Sequence, residues 1–309
     1  MRTKQTLAIT GATGFVGEHL LNLAVRAGFP VRALTRRRQD DRPNVTWVDG
    51  SLEKPASLDE LCTGADVVIH IAGVVNAPDR QGFETGNVAG TLAMVEAAKK
   101  AGCKRFLHVS SLAARQPDLS IYGETKAKAE KIVATSGLDW TIIRPPAVFG
   151  PGDGEMLDLF KMAKLGVITL PPDADGVLSV IHVDDLARAL MTLIPEHEDL
   201  TARIFEVDDG TPGGWTQIQF AREIGKAVGN KKVRTIGMPR ALLKFGAKAD
   251  RFFRKDKAKL TADRVSYFCH DDWTIDPAKR LPHQLWVPKI ETEKGLRDTA
   301  QWYRLNDWM

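Results

Sequence analysis

The chain has 309 residues, enough for one large α/β domain and a smaller lobe. Hydrophobic residues make up 43% and charged residues 27%, ordinary for a folded globular protein, and no apolar run is long enough to span a bilayer. A formal net charge of +4 is too mild to imply nucleic acid.

The three cysteines, Cys62, Cys103 and Cys269, are scattered and form no CxxC pair, which argues against a disulfide framework or a zinc site. Met1-Arg2-Thr3-Lys4-Gln5 leads straight into an apolar strand without the pattern of a secretory signal, so a cytoplasmic location is expected.

In the first 145 residues, short apolar runs alternate with amphipathic stretches. Runs at 7–10, 31–34, 45–48, 67–71, 106–109 and 140–143 predict strands, and helical patterns at 15–27 and 89–100 fall between them. Strands alternating with helices predict an α/β fold with a doubly wound parallel sheet. After Arg144-Pro145-Pro146 the character changes. Phe149-Gly150-Pro151-Gly152-Asp153-Gly154 predicts a loop, followed by a strand at 177–183 and helices at 186–193 and 216–228.

Residues 231–264 hold twelve Lys/Arg against three Asp. Leu242, Phe245, Ala249 and Phe252 fall at helical spacing within that stretch, which predicts a basic amphipathic helix. The plain expectation is a surface helix packing its apolar face inward. The sharper one is contact of residues 240–260 with an anionic membrane surface or an acidic substrate. The tail carries Trp273, Trp286, Trp302 and Trp308, which suit core packing.

The most informative segment is Thr10-Gly11-Ala12-Thr13-Gly14-Phe15-Val16-Gly17, placed between the first strand and the first helix. Gly11 permits a tight turn, Gly14 lets the backbone approach a pyrophosphate, and Gly17 lets helix and strand pack closely. Thr13, Phe15 and Val16 then offer backbone at a helix N-terminus, where free N–H groups favour phosphate. The spacing is GxxGxxG, and its strand–turn–helix context makes it a dinucleotide fingerprint. At the end of the second strand an acid would favour NAD, and an arginine the 2′-phosphate of NADP. Here Leu34-Thr35-Arg36-Arg37-Arg38 carries no acid, so NADP(H) is favoured over NAD(H). Arg36 is the expected phosphate clamp, with Arg37 stacking on adenine. A Rossmann domain over 1–150 is expected, with segments near 177–207 returning to it, followed by a smaller substrate-binding α/β lobe over 151–309.

These features, together with Gly50-Ser51-Leu52, His70-Ile71-Ala72-Gly73, Asn87-Val88-Ala89-Gly90-Thr91, Val109-Ser110-Ser111, Tyr122-Gly123-Glu124-Thr125-Lys126, Arg144-Pro145-Pro146-Ala147-Val148-Phe149-Gly150 and Ile181-His182-Val183-Asp184-Asp185-Leu186, make the chain resemble the short-chain dehydrogenase/reductase superfamily in its extended, epimerase/dehydratase-like branch. The resemblance covers nearly the whole chain. It implies cofactor contacts from Ser51, Leu52, Ala72, Gly73, Tyr122, Lys126, Pro145 and Val148, and a homodimer of the kind relatives often form. The chain departs from the pattern in three places. Ser51 stands where many relatives have Asp, and Ala147 where nucleotide-sugar epimerases have Asn. The gap from Ser111 to Tyr122 is short. These departures resemble atypical members, among them an accessory subunit of respiratory complex I.

Tyr122 and Lys126 are four residues apart, which puts them on one face of a helix. An unperturbed tyrosine has a pKa of about 10, and a nearby ammonium favours the phenolate. Ser111 would hold a substrate oxygen, and Tyr122 would exchange its proton while hydride moves at the nicotinamide. Asp184 and Asp185 read as N-caps. His70 and His182 read as satisfied core or rim histidines, with no metal spacing around them, and Asn87 as a residue fixing a helix near the central strands. Val74, Val75, Leu112, Ala113 and Ala147 are small or apolar, so the expected partner is a small or weakly polar molecule. The expected activity is an NADPH-dependent carbonyl reductase or alcohol dehydrogenase using Ser111, Tyr122 and Lys126. The alternatives are an epimerase or dehydratase that recycles its cofactor, and a cofactor-bound accessory subunit.

Overall fold

The computed structural model describes residues 4–172, 175–254 and 261–309, with side chains undescribed for Ala249 and residues 251–254. Contacts within the chain divide it into two units, residues 1–144 with 187–205 and residues 145–186 with 206–309. The first unit thus takes back part of the 177–207 stretch, while 177–186 stay with the second.

The first unit is built on six strands: β1 (Leu7–Thr10), β2 (Val31–Thr35), β3 (Val45–Asp49), β4 (Val67–His70), β5 (Arg105–Val109) and β6 (Asp139–Arg144). They lie in the order β3-β2-β1-β4-β5-β6 with parallel registers, and the strand Arg203–Glu206 joins beside β6 as the seventh. That order reverses direction at β1, as in a doubly wound dinucleotide-binding sheet. The residues of β1, β4 and β5 are all buried, so side chains of both pleat faces leave water. On one face Ala8, Val68, Phe106 and Ile142 pack with Leu58 and Leu61 of α2 (Pro55–Cys62), and with Met94 and Ala98 of the helix Gly90–Ala101. Each such fully buried Val, Leu, Ile, Phe or Met side chain contributes roughly 1.5–3 kcal/mol.

The helix α1 (Phe15–Arg26) follows β1 and buries Gly17, Leu20, Leu21 and Ala24. Between β4 and β5 the pattern predicted a helix from residue 89. The helical path begins earlier: α3 (Arg80–Phe83) runs into a wide π-type turn, Glu84–Ala89, and then into α4 (Gly90–Ala101). Before β6 comes α5 (Ile121–Ala134), N-capped by Ser120, whose side chain accepts the Gly123 N–H.

Two buried arginines fix β6. Arg105 donates from Nη1 to both oxygens of Asp139 at 2.9 Å, from Nη2 to Thr141 Oγ1 and from Nε to the Leu193 carbonyl. Arg144 forks onto Glu130 of α5 at 2.8 and 2.6 Å. The bidentate pair at Arg144, and the full set of acceptors around Arg105, offset the desolvation of each guanidinium.

In the second unit the expected single strand over 177–183 is two strands in different sheets. Val177–Leu178 pairs with Trp215–Thr216 and Asp272–Trp273, whereas Val180–His182 pairs with Ala147–Phe149. The break is Ser179, whose hydroxyl donates to Asp208 and accepts the Ile275 N–H. The expected helix at 216–228 is present as Gln217–Ala227, with Thr216 and Gln219 forming a capping box. The expected N-capping by Asp184 and Asp185 is not what occurs. The helix Val183–Thr192 begins before them, and Asp185 accepts the N–H groups of Lys289 and Ile290. The Trp-rich tail is largely core packing. Trp302 meets Trp308 edge-on, Trp302 packs against the core beside Tyr303, and Trp286 is buried. No described helix is long and apolar enough to cross a membrane.

Candidate functional site

In the first unit, the residues singled out from sequence gather at the carboxyl ends of the parallel strands, where open α/β sheets bind ligands. Gly11 follows β1, Arg36 follows β2, Ser51 follows β3, Ala72 and Gly73 follow β4, and Ser111 follows β5.

The turn after β1 is shaped by what glycine lacks. Gly11 has φ +74°, and a Cβ there would lie 2.8 Å from the Ala72 nitrogen. A Cβ on Gly17 would lie 1.9 Å from the Gly11 carbonyl oxygen, so α1 rests directly on the turn. Gly14 differs: its Cβ would meet only the Gly11 oxygen, at 3.3 Å, and nothing else within 4 Å. Gly14 is also the N-cap of α1, and no side chain caps that end. The first N–H groups of α1 therefore carry no side-chain cap and lie beside a glycine with open space at its Cβ position, the shape and polarity a pyrophosphate needs. The residues present fit a dinucleotide.

Beyond β2, Thr35 accepts the Arg37 N–H and donates to its carbonyl, folding the chain so that Arg36, Arg37 and Arg38 are exposed. After β3, Ser57 of α2 bonds the backbone of Ser51 from both sides, and Leu52 packs against Gly90. This fixes the Ser51 main chain by a serine six residues on rather than by its own side chain.

Lys126 lies on the inner face of α5, 5% exposed, and its Nζ donates to the Val109 carbonyl at 2.8 Å. Burial pushes its pKa down from the ordinary lysine value of 10.5 to about 8, opposed by the carboxylate of Glu130. The Gly73 backbone lies alongside: a Cβ there would be 3.0 Å from Asn87 Oδ1 and 3.7 Å from Lys126 Nζ. Tyr122 sits one turn before Lys126 on α5, with its ring 6.4 Å from that of Phe83. Ser111 N-caps the short 3-10 turn Leu112–Arg115 and accepts the Ala113 N–H, which leaves its own O–H to donate. That turn lies against the start of α5 because residue 123 is glycine. A Cβ there would come within 2.7 Å of the Ala113 carbonyl. Ser111, Tyr122 and Lys126 thus belong to one packed element pair.

Asn87, expected to fix a helix near the central strands, holds α5 and also the loop after β4. It sits in the π-type turn, a feature frequent at functional sites. Its side chain accepts the Val74 N–H, and donates to the Val74 carbonyl and to Thr125 Oγ1. It therefore ties the loop after β4 to the residue before Lys126. The motif Asn87-Val88-Ala89-Gly90-Thr91 was the available signal.

His70 bridges Thr10 and Thr91, a satisfied core histidine as expected. It stacks on His108, whose ring nitrogens have no hydrogen-bond partner among the described residues. Burial, reinforced by the Lys126 charge, pushes the pKa of His70 down to about 3 and that of His108 well below the usual histidine value. His182 lies in the second unit, where its Nδ1 accepts the Asp184 N–H. Cys62 and Cys103, distant in sequence, are brought together: the Cys103 thiol lies 3.8 Å from the Cys62 carbonyl, and both thiols are free. Pro145 and Val148 belong to the second unit, Val148 within the strand Ala147–Phe149.

Known proteins resemble the chain at several levels. Residues 7–207 match the NAD dependent epimerase/dehydratase family. A ceramide reductase of Caulobacter vibrioides is 34% identical, with 98% of this chain and 96% of that protein aligned. The NADH-ubiquinone oxidoreductase 40 kDa subunit of Neurospora crassa is 25% identical over 97% of this chain and 80% of its own. Among solved structures, MoeE5 in complex with UDP-glucuronic acid and NAD superposes with a TM-score of 0.76 at 19% identity, covering 98% and 99% of the two chains. At that identity the likeness concerns the fold. With its glycine turn, its strand order and its matches agreeing, the chain belongs to the NAD dependent epimerase/dehydratase family, nicotinamide-dependent enzymes of the short-chain dehydrogenase/reductase type.

Proposed function

We propose that this chain is an NADPH-dependent carbonyl reductase, or an alcohol dehydrogenase in the reverse direction, acting on a small or weakly polar substrate through Ser111, Tyr122 and Lys126. The observation that carries the reading is the buried Lys126, held by the Val109 carbonyl one helical turn from Tyr122. Burial disfavours the lysine's charge, so an ammonium held in so dry a place is costly, and such perturbed groups cluster at functional sites. A second support is the 34% identical relative named for ceramide reduction.

Bound NADPH supplies the hydride. The chain's residues supply the rest. Backbone N–H groups at the start of α1 hold the pyrophosphate, and Arg36 pairs with the 2′-phosphate. Ser111, which accepts the Ala113 N–H, donates its O–H to the substrate oxygen and fixes its position. Tyr122 gives its phenolic proton to the same oxygen as the alcohol forms. The Lys126 ammonium lowers the cost of the phenolate left behind. Val74, which Asn87 ties toward Thr125 of α5 and which is only partly buried, offers an apolar contact to a weakly polar substrate.

The experiment is turnover by Tyr122→Phe. The variant should lose activity by about 10³-fold while binding NADPH as the parent does. Undiminished turnover refutes the mechanism. The relative that is a respiratory-complex subunit favours a second reading, a cofactor-bound accessory protein. NADPH that is bound but never consumed with any carbonyl substrate, in parent and variant alike, would select it. An epimerase or dehydratase would instead form product without net consumption of NADPH.

A further inference from the structure

The helix Arg240–Arg254 uses only part of its apolar surface for packing. Leu243 and Ala247 join Val265 and Cys269 in a small cluster, and Arg240 donates to the Cys269 carbonyl at 2.6 Å. That side faces inward. Leu242 and Phe245 lie on a different side and are 51% and 69% exposed. At 100° per residue the two form one ridge, roughly opposite Leu243 and Ala247. Lys244 and Lys248, both exposed, run along the flank of the ridge. The strand Arg234–Gly237, just before the helix, adds Ile236 at 51% exposure, with Arg234 exposed two residues earlier.

The charge around the ridge selects what would cover it. Residues 231–254 carry eight Lys/Arg and one Asp. A second copy of the chain would set the same cationic face against itself, at a cost in like-charge repulsion. An anionic bilayer matches both features at once: its acyl boundary takes large apolar side chains, and its phosphates take the lysines beside them.

We propose that the helix Arg240–Arg254 is an interfacial helix that seats the second unit on an anionic phospholipid bilayer. Leu242 and Phe245 enter the acyl boundary, and Lys244 and Lys248 sit at phosphate level. The helix lies in the plane of the surface, in keeping with its length of 15 residues. The docking does not depend on the reductase chemistry, so Tyr122→Phe should bind vesicles as the parent does.

The test is co-sedimentation of the full chain with phosphatidylcholine vesicles containing roughly one third phosphatidylglycerol, compared with pure phosphatidylcholine. Each basic residue near an anionic surface is worth about fivefold in partition. The parent should therefore favour the anionic vesicles, and should be released by high salt. Lys244→Glu/Lys248→Glu should lower the partition by about 30-fold or more. Leu242→Glu/Phe245→Glu should lower it comparably, with an unchanged thermal transition because both positions face water. If the apolar pair disturbs folding, the lysine pair carries the test alone. Equal partition onto both vesicles, no sedimentation with the anionic ones, or a partition unmoved by the lysine reversal overturns the proposal. Self-association broken by Phe245→Glu, without vesicle binding, would assign the ridge to a second copy and overturn it too.

Discussion

Replacing Lys126 with methionine separates a functional lysine from a structural one. Methionine keeps the length and bulk of the side chain and removes its charge. In the folded chain the Lys126 pKa falls from 10.5 to about 8. At about 1.4 kcal/mol per pH unit, keeping this ammonium buried at neutral pH costs about 3 kcal/mol. Against that, methionine leaves the Val109 carbonyl without its donor, a loss of about 2 kcal/mol. Lys126→Met should then be slightly more stable than the parent at pH 7, by about 1 kcal/mol, while losing activity.

The pH dependence is the sharper readout. Between pH 8 and 10.5 the unfolded parent holds a proton on this lysine that the folded parent has released. Parental stability therefore gains from Lys126 as pH rises through that window. The methionine variant has no such gain, and the carbonyl loss does not vary with pH. Its advantage at pH 7 should turn into a deficit of about 2 kcal/mol near pH 10.5. Urea unfolding of both proteins at several pH values measures this, because the difference cancels every other titrating group. A variant-minus-parent difference that stays constant from pH 7 to pH 10.5 would refute the reasoning.

Arg36→Ala should weaken NADPH binding by roughly 10- to 100-fold and leave NADH binding unchanged, read by fluorescence titration with both dinucleotides. Equal losses for the two would remove Arg36 from the 2′-phosphate. Gly17→Ala should destabilise the chain by more than about 3 kcal/mol, because its Cβ would lie 1.9 Å from the Gly11 carbonyl oxygen, whereas Gly14→Ala should fold and show its effect in dinucleotide affinity. Thermal melts and a binding titration of the two variants distinguish these outcomes. His70 and His108 are held neutral, so below pH 6.5 the unfolded chain takes up protons that the folded chain refuses, and stability falls as pH drops from 6.5 toward 3. Two such sites give a slope of up to about 2.7 kcal/mol per pH unit, and a His70→Gln/His108→Leu chain should show a flatter acid-unfolding curve; an unchanged slope contradicts the assignment.

Much of the first unit is legible in the sequence because its signals are local. Strands buried on both faces must be short and apolar, and a tight turn between strand and helix needs glycines at fixed offsets. A tyrosine and a lysine four residues apart share a helix face wherever the helix lies. The second unit is less legible. The run 177–183 looks like one strand, yet Ser179 divides it through bonds to Asp208 and Ile275, residues far along the chain. Asp185 has the composition of a cap, but its partners are the backbone of Lys289 and Ile290.

The sequence by itself determined the doubly wound fold, the glycine turn, the placement of Arg36 after the second strand, and the Tyr122–Lys126 pair, because each rests on a periodicity or on a requirement of the local backbone. Only the tertiary structure decided how dry Lys126 is, that Val109 and not a carboxylate holds its ammonium, that Asn87 couples the loop after β4 to α5, and that Leu242 and Phe245 face water while Leu243 and Ala247 pack with Val265 and Cys269. Burial and long-range hydrogen bonds depend on which elements come together, and no local pattern encodes that.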